Sequence, residues 1–480
     1  MSTTRIRPGS EPREAAPDRA PPVARGPGEL ACPVEARRVR GVRLWRAVVT
    51  SVLAKSLTLV IPIVCLPLFV RYLGAEGYGV YETVGSLAVW LTLSNVGLYL
   101  GLQNRLQACF AAGDLELARR YVSSVAVFVT VVSVLGVAVV TALAVTVDWQ
   151  RVLPTSAPGA GGPIGAAFWV AGVGALMTVA LGIPAVVYAA SQQLDVANVW
   201  EMVGRVLTIL ASVAVVWTRF GLVGVMVASA AVPLVARAVN LAWMFGAEKP
   251  ELRPSLRHFD RALLKSAIVD GVYVFVLQTA VMAIYSADKL IVGLALSPEA
   301  VTPFAIVGRL FLIGYGAYYM LLMPLWPAYA DALRRDDVGW VRRAVRTSLG
   351  IGCGGIAVCG GLLLACKRWL IPLWAGIPGE TVSDSLIVAV TATFVLRAWV
   401  DARSTALNAA GAFKQQIPLF VVHAALNLGL ALVMVKPYGV EGVAWATPIS
   451  AVLTTAWGYP MLMRRYVYGH DRTIEPVTAA

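Results

Sequence analysis

Charge is what this chain lacks. Asp, Glu, Lys and Arg make up 14% of its 480 residues, against ~25% in ordinary soluble proteins. A soluble chain of this length would form about three domains, each needing a charged surface that this composition does not supply. Histidine is scarce too: His258, His423 and His470 are scattered, and His423 lies in an apolar run where a packing role is expected. The cysteines Cys32, Cys65, Cys109, Cys353, Cys359 and Cys366 form no CxxC pair and no Cys/His cluster. Neither a disulfide framework nor a metal site is therefore expected. No Gly-rich phosphate loop ending in Lys-Ser or Lys-Thr occurs, so ATP hydrolysis within this chain is not expected either.

What is present is hydrophobic. Apolar residues make up 58% of the chain and the mean hydropathy is +0.72. They fall into stretches of ~20 residues or more, the length that crosses a bilayer. Twelve helices are read, at about 44–70, 80–103, 120–147, 164–190, 197–218, 221–245, 262–287, 300–327, 341–366, 382–408, 416–436 and 440–463. The fold class is an all-α polytopic membrane protein.

The formal net charge is +13. In a soluble protein that would point to nucleic acid; here no nucleic-acid module accompanies it, and no such partner is expected. Basic residues instead gather in the joints that stay inside. Arg37, Arg38, Arg40 and Arg43 precede the first helix and Arg46 lies at its start, and Lys249, Arg253, Arg257 and Arg261 lie between the sixth and seventh. Arg334 and Arg335 lie between the eighth and ninth and Arg342, Arg343 and Arg346 at the start of the ninth, with fewer in the alternate joints. This bias predicts a multi-pass protein of the cytoplasmic membrane with both termini cytoplasmic. Residues 1–43, rich in Pro, Arg, Ala and Glu, read as a disordered cytoplasmic tail and not as a signal peptide. The expected organisation continues with a six-helix lobe over 44–248, a linker over 249–261, a second six-helix lobe over 262–466 and a tail over 467–480.

The lobes resemble each other. Gly221-Leu222-Val223-Gly224-Val225 aligns with Gly439-Val440-Glu441-Gly442-Val443, each opening the last helix of its half. Gly113-Asp114 followed by Arg119-Arg120 matches Asp336-Asp337 followed by Arg342-Arg343. An even number of helices per repeat gives both halves the same orientation, the parallel-repeat arrangement of transporters that rock two lobes about a central site.

The segment Leu66-Pro67-Leu68-Phe69-Val70-Arg71-Tyr72-Leu73-Gly74-Ala75-Glu76-Gly77-Tyr78-Gly79 resembles a signature that follows the first helix of polysaccharide transporters and O-antigen-type flippases. These belong to the multidrug/oligosaccharidyl-lipid/polysaccharide (MOP) exporter superfamily. Arg71, Tyr72, Gly74, Gly77, Tyr78 and Gly79 are its motif residues here. Asp288-Lys289-Leu290-Ile291-Val292-Gly293 is similar to the family's stretch ending the seventh helix, and the resemblance covers about residues 44–465. Thr302-Pro303-Phe304 departs from it, standing where a Gly-Tyr pair is usual. Twelve spans also set the chain apart from the lipid II flippase branch, which carries two more.

The resemblance implies two pseudo-symmetric lobes in a MATE-like V around a cationic cavity. It implies a flippase or exporter that moves a lipid-linked (polyprenyl-diphosphate) oligosaccharide by alternating access, for cell-envelope polysaccharide biosynthesis. Partners would be that substrate, membrane lipids, and the polysaccharide polymerase and glycosyltransferases. No cofactor is implied beyond a driving H+ or Na+ gradient.

Charges within spans mark candidate site residues. Lys55 lies nine residues past Arg46, about 13 Å of helical rise, on a polar stripe with Ser51 and Thr58. Asp270 lies nine residues past Arg261 and shares a face with Tyr273. Lys55 and Asp270 are expected to pair in the central cavity, where a substrate phosphate or a proton would separate them. Asp270 is the candidate proton site. Lys55 and Arg309 are the expected phosphate contacts, because cationic groups suit phosphate oxygens. Glu82 is a further cavity candidate, or a partner of Arg71 alone. Arg397 and Asp401 are further candidates, although with Arg403 they approach the end of the tenth helix, where a capping or topology role is expected; Glu201 and Arg205 are expected to form a helix pair. Gly350-Ile351-Gly352-Cys353-Gly354-Gly355 has the letters of a dinucleotide motif but lies in a span, where small-residue packing explains it.

Rival functions remain at this level. A multidrug exporter of the same superfamily would favour an apolar, acidic cavity. A membrane glycosyltransferase or ligase would need a larger outer domain than the joints allow, so the chain is not expected to be an enzyme. A non-transporting scaffold of envelope assembly would have a closed, dry interior.

Overall fold

The computed structural model describes residues 33–92, 96–156 and 161–469. The rest of the expected tails, including Cys32 and His470, lies outside the described residues. Helix already begins at Pro33, inside the stretch expected as tail.

Long apolar runs become helices because a lipid-embedded segment must satisfy its own backbone N–H and C=O groups. Among the described residues, ten helices are long and apolar enough to cross a membrane. Two are broken by a glycine: Pro33–Leu91 at Gly74 (φ 74°) and Ile417–Leu453 at Gly439 (φ 59°). These conformations cost a residue with a Cβ but not glycine. Twelve crossings result. They are α1 (33–73), α2 (75–91 and Val96–Ala112), α3 (Leu115–Thr146), α4 (Pro163–Ala190), α5 (Leu194–Val215), α6 (Gly221–Glu248), α7 (Arg261–Ala295), α8 (Pro298–Arg334), α9 (Val338–Ala375), α10 (Asp384–Ala409), α11 (414–438) and α12 (440–467). Several outrun their expected limits. The seventh helix, whose sequence leaves open a run through Ile291 and Leu294, continues to Ala295, and α9 passes Lys367-Arg368 to reach Ala375. A helix needs only ~20 residues for the hydrocarbon core, and the surplus turns carry charge without unwinding.

The two halves share their turn chemistry. Asp114 accepts the Leu117 N–H at 2.9 Å to cap α3, and Asp337 accepts the Trp340 N–H at 2.9 Å to cap α9. The residues just before, Gly113 (φ 73°) and Asp336 (φ 59°), are both left-handed. Gly221 and Gly439, at the openings of α6 and α12, are left-handed as well.

The halves interlock by exchange, α2 against α7 and α1 against α8. At the α2–α7 crossing the backbones touch. A Cβ on Gly271 would stand 1.8 Å from the Gly97 carbonyl oxygen, and one on Gly101 would stand 1.9 Å from that of Ala267. Along α1, Leu59 fills the space in front of Gly316. One apolar cluster runs through both halves, joining Cys65, Leu66 and Phe69 to Ile306, Phe311 and Ala398. Gly352, inside the glycine-rich run of α9, faces the Tyr318 ring of α8, which is small-residue helix packing.

Candidate functional site: a cationic cavity between the halves

A cavity of about 760 Å³ opens between α2, α4 and α6 of the first half and α7, α8 and α10 of the second. Helix α7 presents Gln278, Met282, Tyr285 and Lys289 to it, the i, i+4, i+7, i+11 stripe of one helix face. The charged groups lining it are Glu82 from α2, Arg237 from α6, Lys289 from α7, Arg309 from α8 and Arg397 from α10. Four cations thus face one carboxylate.

Glu82 holds the centre of this wall. It is 4% exposed. Its Oε2 meets Lys289 Nζ at 2.5 Å, and its Oε1 meets Arg309 at 3.2 Å while accepting the Tyr78 hydroxyl at 2.6 Å. One negative charge meets two cations and a hydroxyl, so it orients the cations without cancelling both. Arg397 is held differently. Its guanidinium lies 4.3 Å from the ring centroids of both Tyr285 and Tyr315, and Asp401, which also accepts the Tyr315 hydroxyl, stands 3.8 Å away. Arg237 has no ion-pair or hydrogen-bond partner among the described residues. The fork donors of these arginines suit phosphate oxygens.

Arg309 and Glu82 thus stand together at the cavity, as does Tyr78 of the motif through its bond to Glu82. The other expected site residues do not. Lys55 and Asp270 do not pair. Asp270 Oδ2 meets Arg105 at 2.7 Å, and the Lys55 ammonium turns to the Met323 sulfur. The reason is azimuth rather than depth. Lys55 lies four residues before Leu59 and shares its face, and that face packs on α8. Asp270 sits roughly 80° round α7 from the Gln278 stripe, beside Gly271, where α2 crosses. Ser51 accepts from the Asn198 amide at 2.8 Å, Thr58 donates to the Ala54 carbonyl of its own helix at 2.9 Å, and Tyr273 packs under the Lys414 ammonium.

Arg71 does not pair with Glu82; it donates to the Leu373 carbonyl at 2.9 Å. Tyr72 donates to Thr218 O at 2.7 Å and accepts from Gly221 N at 3.1 Å, which pins the α5–α6 turn. Gly74 breaks the helix, Gly77 packs on Leu73, and Gly79 lets α2 meet the Pro298 carbonyl. The motif is therefore mostly architectural. Thr302, where the chain departs from the family pattern, donates to Ala75 O at 2.5 Å and ties α8 to the same turn.

Sequence reading missed Lys289 and Arg237 and assigned Arg397 to a helix end. Lys289 looked like the end of a span, and Arg237 is a lone cation in an apolar run. That loneliness was the available signal. The Glu201–Arg205 helix pair is present, at 2.5 Å.

A second polar cluster is buried between α7, α11 and α12. Thr447 donates to Asp288 Oδ2 at 3.3 Å and accepts from the Asn427 amide at 2.8 Å. Asp288 Oδ1, Asn427 Oδ1 and both ring nitrogens of His423 are buried without a hydrogen-bond partner. Among the described residues no three His, Cys, Asp or Glu groups converge as metal ligands.

No protein-family model matches the chain. Over 451 residues, 91% of this chain and 99% of the relative, it is 20% identical to a Salmonella typhi protein described as "Putative O-antigen transporter". Among solved structures, it is similar to the inward-facing conformation of a multidrug resistance MATE family transporter of the MOP superfamily. The TM-score there is 0.68 at 16% identity, over 84% of this chain and 94% of that one. The outward-facing conformation of such a transporter gives 0.52 at 16% identity, over 86% and 96%. A MOP superfamily transporter from Pyrococcus furiosus, described as having a binding pocket of reverse polarity that suggests a different function, gives 0.54 at 16% identity, over 86% and 95%. The chain has the fold of MOP-superfamily transporters and is a multi-pass membrane protein.

Proposed function

We propose that this chain is a flippase of the cytoplasmic membrane that moves a lipid-linked, polyprenyl-diphosphate oligosaccharide for cell-envelope polysaccharide biosynthesis. The single observation that carries this reading is the cavity wall, where Arg237, Lys289, Arg309 and Arg397 face one carboxylate already engaged by two of them. An anionic diphosphate is attracted to that wall, and a cationic drug is repelled. The same wall disfavours a multidrug exporter. The likeness in sequence to an O-antigen transporter supports the choice of cargo.

The head group enters the cavity while the polyprenyl chain stays in the bilayer, and the two halves alternate their opening. The better superposition on an inward-facing relative supports reading this conformation as inward-facing. With the arginine-rich joints inside, both termini are cytoplasmic. The chain works beside the glycosyltransferases and polymerase that make and use its cargo.

An H+ or Na+ gradient supplies the drive, and Asp288 is the better coupling group than Asp270. Asp270 is occupied by Arg105, whereas Asp288 keeps an unsatisfied oxygen in a buried site, an expensive arrangement that a proton or small cation relieves.

The test is the leaflet distribution of lipid-linked oligosaccharides in cells with and without the gene. Accumulation on the cytoplasmic leaflet when the gene is lost, reproduced by Arg309→Ala, is the expected result. An unchanged distribution overturns the assignment.

A further inference from the structure

A second, smaller cavity of about 340 Å³ lies inside the first half, between α4, α5 and α6. It shares Pro233 and Arg237 with the central cavity, so the Arg237 side chain borders both spaces. Their chemistry differs. The central wall is dominated by cations, whereas the smaller cavity mixes acceptors, donors and an aromatic ring from Trp200, Glu201, Arg205, Thr208 and Asn240.

Several of these polar groups are held and keep capacity to spare. Glu201 gives Oε1 to Arg205 at 2.5 Å, which leaves Oε2 as an acceptor. Arg205 is itself anchored on the Ala54 carbonyl of α1 at 2.9 Å. The Asn240 carbonyl lies 3.3 Å from the Tyr188 hydroxyl, whose shorter bond, at 2.8 Å, goes to Glu248, and its amide remains a donor. The Glu201–Arg205 pair is thus part of a pocket wall as well as a helix pair. Arg237, a cation within a span and without a partner among the described residues, is costly to keep there unless a ligand meets it.

This combination selects among ligand classes. A phosphate only accepts hydrogen bonds and is repelled by Glu201. A sugar hydroxyl both donates and accepts, and the C–H face of a sugar ring packs on an indole as other apolar faces do. The volume is at the small end of ligand sites, ~300–1,000 Å³, which suits a single sugar unit and not a whole oligosaccharide.

We propose that this pocket is the sugar subsite of the transporter. It takes the sugar unit next to the diphosphate, with Trp200 stacking, Glu201 and Asn240 bonding its hydroxyls, and Arg237 at the sugar–phosphate junction. This rests on the flippase reading above and adds where, and by which residues, the sugar is recognised.

The test uses the purified full-length protein in lipid nanodiscs and two probes, farnesyl diphosphate and its N-acetylhexosamine conjugate. The wild type should bind the conjugate more tightly by ~10-fold. Trp200→Ala should abolish that preference while leaving affinity for bare farnesyl diphosphate unchanged, and Trp200→Phe should restore most of it. Arg309→Ala should weaken both probes alike. Asn240→Leu gives a second reading should Trp200→Ala fail to fold, and bare-diphosphate binding reports folding in the Trp200 and Asn240 variants. Equal affinity of the wild type for both probes overturns the sugar subsite and leaves the flippase reading standing, as does a preference that survives both substitutions. Failure of the wild type to bind either probe overturns the flippase reading and the subsite with it.

Discussion

Glu82 and Lys289 lie on opposite halves of the repeat and meet at 2.5 Å in the cavity wall. With Arg309 on its other oxygen, Glu82 is where the halves are joined electrostatically and where the cavity's cations are aimed. Glu82→Gln keeps the shape and removes the charge. The expected loss of stability is about 2–3 kcal/mol, below the ~3–5 of a fully enclosed pair, because Lys289 and Arg309 still reach the cavity. Thermal unfolding in nanodiscs reads it. The same variant should bind farnesyl diphosphate more tightly than wild type, since both cations are freed; weaker binding would argue against a diphosphate site.

The cavity arginines should not tolerate lysine equally. Arg397 is clamped between the rings of Tyr285 and Tyr315, an arrangement suited to a planar guanidinium. Arg397→Lys should cost about as much diphosphate affinity as Arg397→Ala, on the order of 10-fold. Full affinity in the lysine variant would show that only net charge matters there.

Lys55 and Asp270, the most prominent charges in the sequence, should be nearly silent. The Arg105–Asp270 pair meets at 2.7 Å outside the cavity lining, so replacing both residues together should leave diphosphate affinity within about twofold. Lys55→Ala should leave diphosphate affinity within about twofold, well inside the factor of ten that ~1.4 kcal/mol represents. A loss as large as that of Arg309→Ala would place Lys55 back in the site.

The α2–α7 crossing should be intolerant of side chains. Gly101→Leu and Gly271→Val drive carbon into a facing carbonyl and should abolish a monodisperse, folded product in size-exclusion chromatography. Gly354→Ala, where nothing lies within 4 Å, is the matched control and should be neutral or stabilising by up to ~1 kcal/mol.

Asp260 carries the pH test. It caps α7, accepting from Ala262 N at 2.8 Å, and pairs with Arg120 at 2.6 Å. The backbone N–H groups of Ala262 and Leu263, and then Arg120, hold its carboxyl below the usual aspartate range. A lowered folded value means stability that is present above the unfolded pKa of ~3.9 and lost as pH falls through the folded one. Asp260→Asn should therefore melt below wild type near neutrality, with the gap closing in acid below ~pH 4. A gap independent of pH would show that the side chain acts only as a neutral cap.

Much was legible before any coordinates. Apolar run length set the number of crossings, because the bilayer thickness sets the length of a span. Gly74, Gly221 and Gly439 mark breaks that the repeat and the motif located, since a left-handed residue has a recognisable chemistry. Asp114 and Asp337 were visible as matching turns, and they prove to be matching caps.

The site was legible only in part. Depth along a helix follows from counting at ~1.5 Å per residue, and by that measure Lys55 and Asp270 looked equivalent. Which way a span is turned depends on what it packs against, and no local signal in a uniformly apolar run records that. Packing turned Lys55 onto α8 and Asp270 onto α2, and brought Glu82, Lys289, Arg309, Arg397 and Arg237 around one cavity. The sequence by itself determined a twelve-span, two-fold repeated membrane protein, because span length and turn chemistry are local. Tertiary structure alone decided which charges meet, because that depends on helix rotation, which residues far apart in the chain settle together at contacts such as Gly97 on Gly271.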